Sequence, residues 1–247
     1  MKNILLIICL LISISDVFGQ EMKDCSICSK QILTEEQVKN NSKEELALLR
    51  NEIYARKGYN FDNFSISDYF ENQKWYKPVS SNEKIQLSEI EQKNIAFLKS
   101  LENKIQKKRD IAISDLEKLR TALNENNMLI INKFLGGKKM NYTYDDYTMK
   151  HLKKAMNCFD FEDIHWNKSK GIYSVSIDNG FGIFKCEIVF ENNEIMIKLG
   201  DYGFSEIFKD FAYSPDAPFM SENEFSIWWI FDMTEKGIIL KIVNGAG

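Results

Sequence analysis

Eight aromatic residues fall between Tyr54 and Tyr76, in the run LRNEIYARKGYNFDNFSISDYFENQKWYKP from Leu49 to Pro78. Large rings bury more apolar area than other side chains, and Tyr and Trp each carry a polar atom that needs a partner. A cluster this dense either nucleates a very small core or offers stacking surfaces to a ligand. Arg50, Asn51 and Arg56 lie in the same run and add planar hydrogen-bonding groups beside the rings. On a helical wheel the two arginines flank an apolar stripe. The structural alternative there is a guanidinium lying along the core edge and pairing with Glu52, Asp68 or a backbone carbonyl.

Thiols are the second reactive set. Beyond the first 20 residues stand Cys25, Cys28, Cys158 and Cys186. An even number in an exported chain favours disulfides, and we pair Cys25 with Cys28 and Cys158 with Cys186. The CxxC has no preceding strand to build a redox-active turn, and no second CxxC or CxxH completes a tetrahedral zinc site. His151 and His165 flank Cys158 with 6 residues between on each side, which matches no usual zinc pattern. Neither a metal nor a cofactor is expected. A nucleophile pair from Cys158 and His165, with acids such as Asp145, Asp146, Glu162 and Asp163 nearby, defines an enzymatic alternative: an envelope hydrolase or peptidase. G-x-S-x-G, P-loop, H-E-x-x-H and G-x-G-x-x-G motifs are all absent, so no catalytic residue is assigned and a non-enzymatic role is preferred.

The elements that must position these residues are legible from periodicity. Ser42 and Glu45 have capping-box spacing, Leu46, Leu49 and Ile53 form a stripe, and Gly58 ends the helix. Ser65 to Phe70 reads as a second short helix, and Pro78 keeps the Trp75-Tyr76 segment extended or turned. A third helix starts near Leu87. The apolar spacing Leu98, Leu101, Ile105, Ala112, Leu116, Leu119, Leu123 would suit one long helix. Because Ser114 and Glu117 repeat the capping-box spacing, a break at Asp110–Ser114 is preferred. The basic stretch Lys104 to Asp110 reads as a solvated helix end. Helices over Asp115 to Asn126 and Tyr147 to Asn157 are separated by a loop around Gly136, Gly137 and the polar residues to Asp146. The period then changes to two: Tyr173, Val175 and Ile177, then Phe184, Cys186, Ile188 and Phe190, then Ile195, Ile197 and Leu199. Asp178-Asn179-Gly180 and Asn192-Asn193 supply the turns. Strands are also expected at Phe225 to Phe231 and Ile238 to Val243. In the pair Trp228-Trp229, one ring belongs to the core and the other faces outward. The fold class is α+β: a small helical, aromatic-rich N-terminal module, then an α+β domain with an antiparallel, meander-like sheet.

Leu49-Arg50-Asn51-Glu52-Ile53-Tyr54-Ala55-Arg56, followed by Gly58-Tyr59, Phe61, Tyr69-Phe70 and Trp75-Tyr76-Lys77-Pro78, resembles the YARHG domain, a small module of bacterial extracytoplasmic proteins. Asn94-Ile95 looks like the family's tail, and the resemblance covers about residues 31–102. Lys57 stands where the motif has His. A role needing an imidazole would not carry over, whereas one needing positive charge at a helix end would. The resemblance implies a binding module of the cell envelope, with peptidoglycan or another wall glycan as ligand. Sugars are held by aromatic faces flanked by planar hydrogen-bonding groups. Arg50, Asn51, Tyr54, Arg56, Tyr59, Trp75 and Tyr76 are the candidate ligand contacts, with Trp75 and Tyr76 expected to be the most exposed. A module of this size has barely enough buried surface to fold, so most of its rings are expected in the core. The other reading is an envelope protein as partner, with the chain as inhibitor or assembly factor.

Residues 1–19 read as a signal peptide: Lys2, an apolar run from Ile4 to Ile14, then Val17 and Gly19 before a cut at Gln20. The run is too short to cross a bilayer, and no later stretch resembles a transmembrane segment. The chain carries 32 Lys+Arg against 36 Asp+Glu, a formal net charge of −4, and the leader removes one of each sign. That mild acidity lacks the basic footprint of a nucleic-acid binder. The expected organisation is a YARHG-like module at 25–102, a linker or helix at 103–114 and an α+β domain at 115–247. The protein is expected to be exported, to the periplasm, the cell surface or the medium.

Overall fold

A computed structural model describes residues 22–136, 146–180, 182–207 and 225–246. The expected signal peptide, the Gly137–Asp145 part of the loop and Phe181 lie outside them. The helices are α1 (Glu35–Val38), α2 (Lys43–Ala55), α3 (Phe64–Glu71), α4 (Glu89–Glu125), α5 (Met128–Leu135) and α6 (Asp146–Met156). Six strands follow: β1 (His165–Asn167), β2 (Lys170–Asp178), β3 (Gly182–Glu191), β4 (Glu194–Phe204), β5 (Phe225–Thr234) and β6 (Gly237–Ala246). They form one antiparallel sheet in sequence order, β1-β2-β3-β4-β5-β6. The class is α+β, an aromatic-rich helical region followed by a meander. The described chain divides into two compact units: residues through Asn41 with Leu46–Leu98, and Ser42–Glu45 with Lys99 onward.

The N-terminal helices are built from local signals. The α2 box is reciprocal: the Ser42 N–H donates to Glu45 Oε2 at 2.8 Å, and the Glu45 N–H donates to Ser42 Oγ at 3.2 Å. Leu46, Leu49 and Ile53 are buried as the stripe requires. Beyond α2, Gly58 takes φ +82°, and a Cβ there would meet the Lys77 carbonyl oxygen at 2.8 Å. The Val79 N–H donates to the Gly58 carbonyl at 2.8 Å, so this glycine lets the Trp75–Val79 segment lie directly on the helix end. Asn63 caps α3 by accepting from the Ile66 N–H. Ser88 and Glu91 form a second box at the start of α4, at 2.7 and 3.3 Å.

The expected break at Asp110–Ser114 does not occur, because α4 is continuous from Glu89 to Glu125. No Gly or Pro interrupts that stretch, and Leu98, Ala112, Leu116 and Leu119 are fully buried along it. A Ser-x-x-Glu spacing caps a helix only where the preceding residue has left helical geometry. Inside a continuous apolar stripe it is just two polar residues. Helix α5 was not anticipated. Asn127 caps it by accepting from the Ile130 N–H, and Gly136 ends it at φ +70°. At eight residues it is too short for a periodic signal to stand out.

In the second unit one face of the sheet holds the core: Cys186, Ile188 and Phe190 of β3, Ile195, Ile197 and Leu199 of β4, and Ile227, Trp229 and Phe231 of β5. Leu116, Leu119, Leu152 and Met156 of the helices join the same cluster. Trp229 is buried and Trp228 half-buried, as alternation on β5 requires. Asn192 and Asn193, at φ 49° and 63°, make the tight β3–β4 turn. The basic stretch is not simply solvated. Arg109 is buried, donates to Glu44 at 2.9 Å and to the Lys168 carbonyl at 3.1 Å, and stacks 3.8 Å from the Trp166 ring centre. A planar guanidinium can be buried this way, with ring contact on its face and acceptors on its edge. Gly171 lets that ring lie flat on β2, since a Cβ would meet it at 2.9 Å.

Candidate binding surface and the two cysteine pairs

The rings of the first unit form a connected series. Tyr54 meets Tyr59 edge-on, Tyr59 meets Phe61, and Phe61 stacks on Phe70 with centres 5.3 Å apart. Phe70 also contacts Tyr69, Trp75 and Tyr76 at 5.0, 6.0 and 5.9 Å. Phe70 is the hub and has no exposure at all, and together with Ala55 and Tyr76 it makes the buried centre of this cluster. Such edge and offset contacts each add about 0.5–1.5 kcal/mol beyond area burial.

Tyr76 was expected to be exposed and is buried. Its ring lies against Phe61, Phe70 and Trp75, and its hydroxyl donates to the Tyr59 carbonyl at 2.6 Å. That bond gives the phenol its partner inside the unit, and burial raises its pKa, with Glu71 adding to the effect. Tyr54 and Tyr59 are half-buried. Asn51 is buried and accepts from Arg50 at 3.1 Å. Trp75, by contrast, keeps 38% of its surface exposed, and Tyr69 keeps 40%. Arg56 lies 4.5 Å from the Trp75 ring centre. Its Nε donates to Glu52 Oε1 at 2.8 Å, and its Nη2 reaches the same oxygen at 2.5 Å. The pairing with Glu52 is the core-edge arrangement weighed from the sequence. Phe64, not among the sequence candidates, is 82% exposed on α3. Its position immediately after the Asn63 cap, outside the ring series, was the available signal.

Two polar devices hold this small unit together. Cys25 and Cys28 are disulfide-bonded, both at 1% exposure. Asn94, fully buried on α4, donates through Nδ2 to the carbonyls of Cys28 and Gln31, both at 2.8 Å, and accepts from the Leu33 N–H at 2.8 Å. Lys57, in the place of the motif's His, reaches Glu91 at 3.1 Å. Burial alone would raise the Glu91 pKa, but the Ser88 backbone N–H, the Lys57 ammonium and the Ser88 hydroxyl outweigh it and hold the carboxyl below its ordinary value. Position 57 thus carries a cation that pairs with the carboxylate capping α4.

The pairing expected between Cys158 and Cys186 is not a covalent bond here. Both are free thiols, hydrogen-bonded to one another. Cys158 also donates to the Lys154 carbonyl at 3.3 Å. The histidines are engaged elsewhere: His151 Nδ1 lies 2.7 Å from the Tyr147 carbonyl, and the exposed His165 is 3.4 Å from Asp163. Among the described residues no group of three His, Cys, Asp or Glu is arranged to hold a metal ion. No helix among them is long and apolar enough to cross a membrane.

Residues 24–103 match the family model described as the YARHG domain. The N-terminal segment is therefore a YARHG domain, of the kind found in extracytoplasmic proteins. No curated protein and no solved structure matches the chain.

Proposed function

We propose that this is an exported, non-enzymatic protein whose YARHG module docks on a cell-envelope glycan, with peptidoglycan as the ligand. The observation that supports this reading is the division of labour among the rings. Phe70 and Tyr76 supply the buried core, while Trp75 and Tyr69, both in contact with Phe70, stay open to solvent. An indole held from beneath by a packed core is a rigid platform that loses little entropy when a pyranose stacks on it. Arg56 beside it, already oriented by Glu52, retains N–H groups for hydroxyls or carboxylates of the wall polymer. Tyr54 and Tyr59 continue the ring series, and Asn51 accepts from Arg50.

The test is co-sedimentation of the mature chain with purified peptidoglycan. Retention that falls at least tenfold in Trp75→Ala, while the thermal melt moves by no more than a few degrees, is the expected result. Equal absence of binding by both proteins removes the glycan reading.

A further inference from the structure

The second unit holds a pair of thiols at its hydrophobic core, Cys186 within it and Cys158 packed against it. Cys186 sits in the middle of the sheet, between Val175 of β2 and Leu199 of β4, on the face covered by helices, and has no exposure. Cys158 lies just beyond the end of α6, where its N–H donates to the Ala155 carbonyl, and is half-buried. The Cys158 side chain packs against the core cluster that holds Cys186, with Lys154 beside it, its ammonium 3.5 Å from the Phe184 ring centre. One thiol that solvent can reach, backed by a second that it cannot, is the arrangement that thiol–disulfide exchange requires.

We propose that Cys158 and Cys186 form a thiol–disulfide exchange site for low-molecular-weight disulfides, with Cys158 attacking and Cys186 resolving. The thiolate of Cys158 attacks one sulfur of a disulfide, forming a mixed disulfide and expelling one thiolate. Cys186 then attacks Cys158 Sγ, its proton passing to the departing sulfur, and the second half of the external disulfide leaves as a thiol. Two protein thiols and one external disulfide become one protein disulfide and two free thiols, so the external disulfide is the oxidant and the electrons balance. The half-buried position of Cys158 favours a small disulfide over the disulfide of a folded protein. The electrostatics agree. The Cys186 S–H hydrogen bond stabilises the Cys158 thiolate and outweighs its partial burial, with the Lys154 charge adding to the effect, so the Cys158 pKa falls. The same hydrogen bond, burial and the adjacent thiolate push Cys186 up. Cys25 and Cys28, already bonded and both buried, take no part. This site is independent of the glycan reading.

The test uses the mature chain with the Cys25–Cys28 bond intact, treated with oxidised glutathione and followed by intact mass and peptide mapping. Wild-type protein is expected to gain a Cys158–Cys186 bond and retain no glutathione. Cys186→Ser is expected to hold one glutathione on Cys158, and Cys158→Ser to react at Cys186 at least tenfold more slowly. The proposal is overturned if Cys186 reacts as fast as Cys158, or if wild type retains glutathione at Cys158 with Cys186 still free. It is also overturned if neither thiol reacts in the folded protein although both alkylate in urea. Should either variant fail to fold, brief iodoacetamide labelling of wild type decides instead. Alkylation of Cys158 before Cys186 supports the order, and the reverse order sinks it.

Discussion

The two units solve the same problem with different chemistry. The sheet unit buries a broad aliphatic and aromatic face against its helices, and its cohesion comes from area: Ile188, Phe190, Ile195, Leu199, Trp229 and Phe231 are all essentially inaccessible. The YARHG unit has little such area. It joins a disulfide, a buried asparagine that ties three backbone groups, the Ser88–Glu91 capping box and its ion pair with Lys57 to a ring series with one true hub. Small modules need such staples because their surface-to-volume ratio denies them a sufficient core. Where polar staples hold the fold, some rings are spare, and Trp75 and Tyr69 remain outside.

Substitutions at four positions would break or sharpen this contrast. The largest effect is expected from Trp229→Ala, which removes a large ring from the sheet core and costs about 3–5 kcal/mol. Chemical denaturation should show the loss, and a cost below about 1 kcal/mol would contradict an area-driven core. Asn94→Ala comes next, at about 2–4 kcal/mol, because it strands the buried Leu33 N–H and Cys28 carbonyl, and the partly buried Gln31 carbonyl, without introducing a clash. Hydrogen exchange should localise that loss to residues 25–35 and leave the sheet protected. Third is Lys57. Glu91 has a lowered folded pKa, so its contribution is complete above the ordinary carboxylate value and disappears as pH falls through the folded value. Lys57→Met removes one of the lowering causes and should start the acid loss of stability at higher pH, as read from melts between pH 3 and 7 (values of the order of the reference carboxylate range). Lys57→His should match the wild type near pH 5 and fall behind it near pH 8, about one to two units either side of the imidazole pKa. The smallest effect belongs to Phe64→Ser, within about 0.5 kcal/mol, since the ring is mostly in solvent. A larger loss would show that the exposed rings are structural after all.

Much of this was readable from the chain. The α2 box, the Gly58 stop and the Asn192-Asn193 turn are local devices, and each formed as its residues dictate. Cys25 and Cys28 are bonded as their spacing suggested, whereas the bond expected between Cys158 and Cys186 is absent and both are free thiols. What failed was any reading in which a short pattern competed with a longer-range one. Ser114-x-x-Glu117 lost to an uninterrupted apolar stripe, and the Arg109 segment looked solvated because Trp166 and Glu44 are distant in sequence. Tyr76 is the sharpest case at the candidate surface. Adjacent Trp75 and Tyr76 look alike in the sequence; the packing of the Tyr76 ring on Phe61 and Phe70, with its hydroxyl on the Tyr59 carbonyl, separates the buried ring from the open one.

By itself, then, the sequence determined the α+β class, the strand alternation, the start and stop of α2 and the YARHG character of the N-terminal segment. These depend on periodicity and on the conformational preferences of single residues, which act over a few positions. Only the tertiary structure decided which rings are spent on packing, what the cation at position 57 pairs with, and that a reachable thiol is backed by a buried one. Those outcomes depend on which distant groups are brought within a few ångströms of each other, and no local preference encodes that.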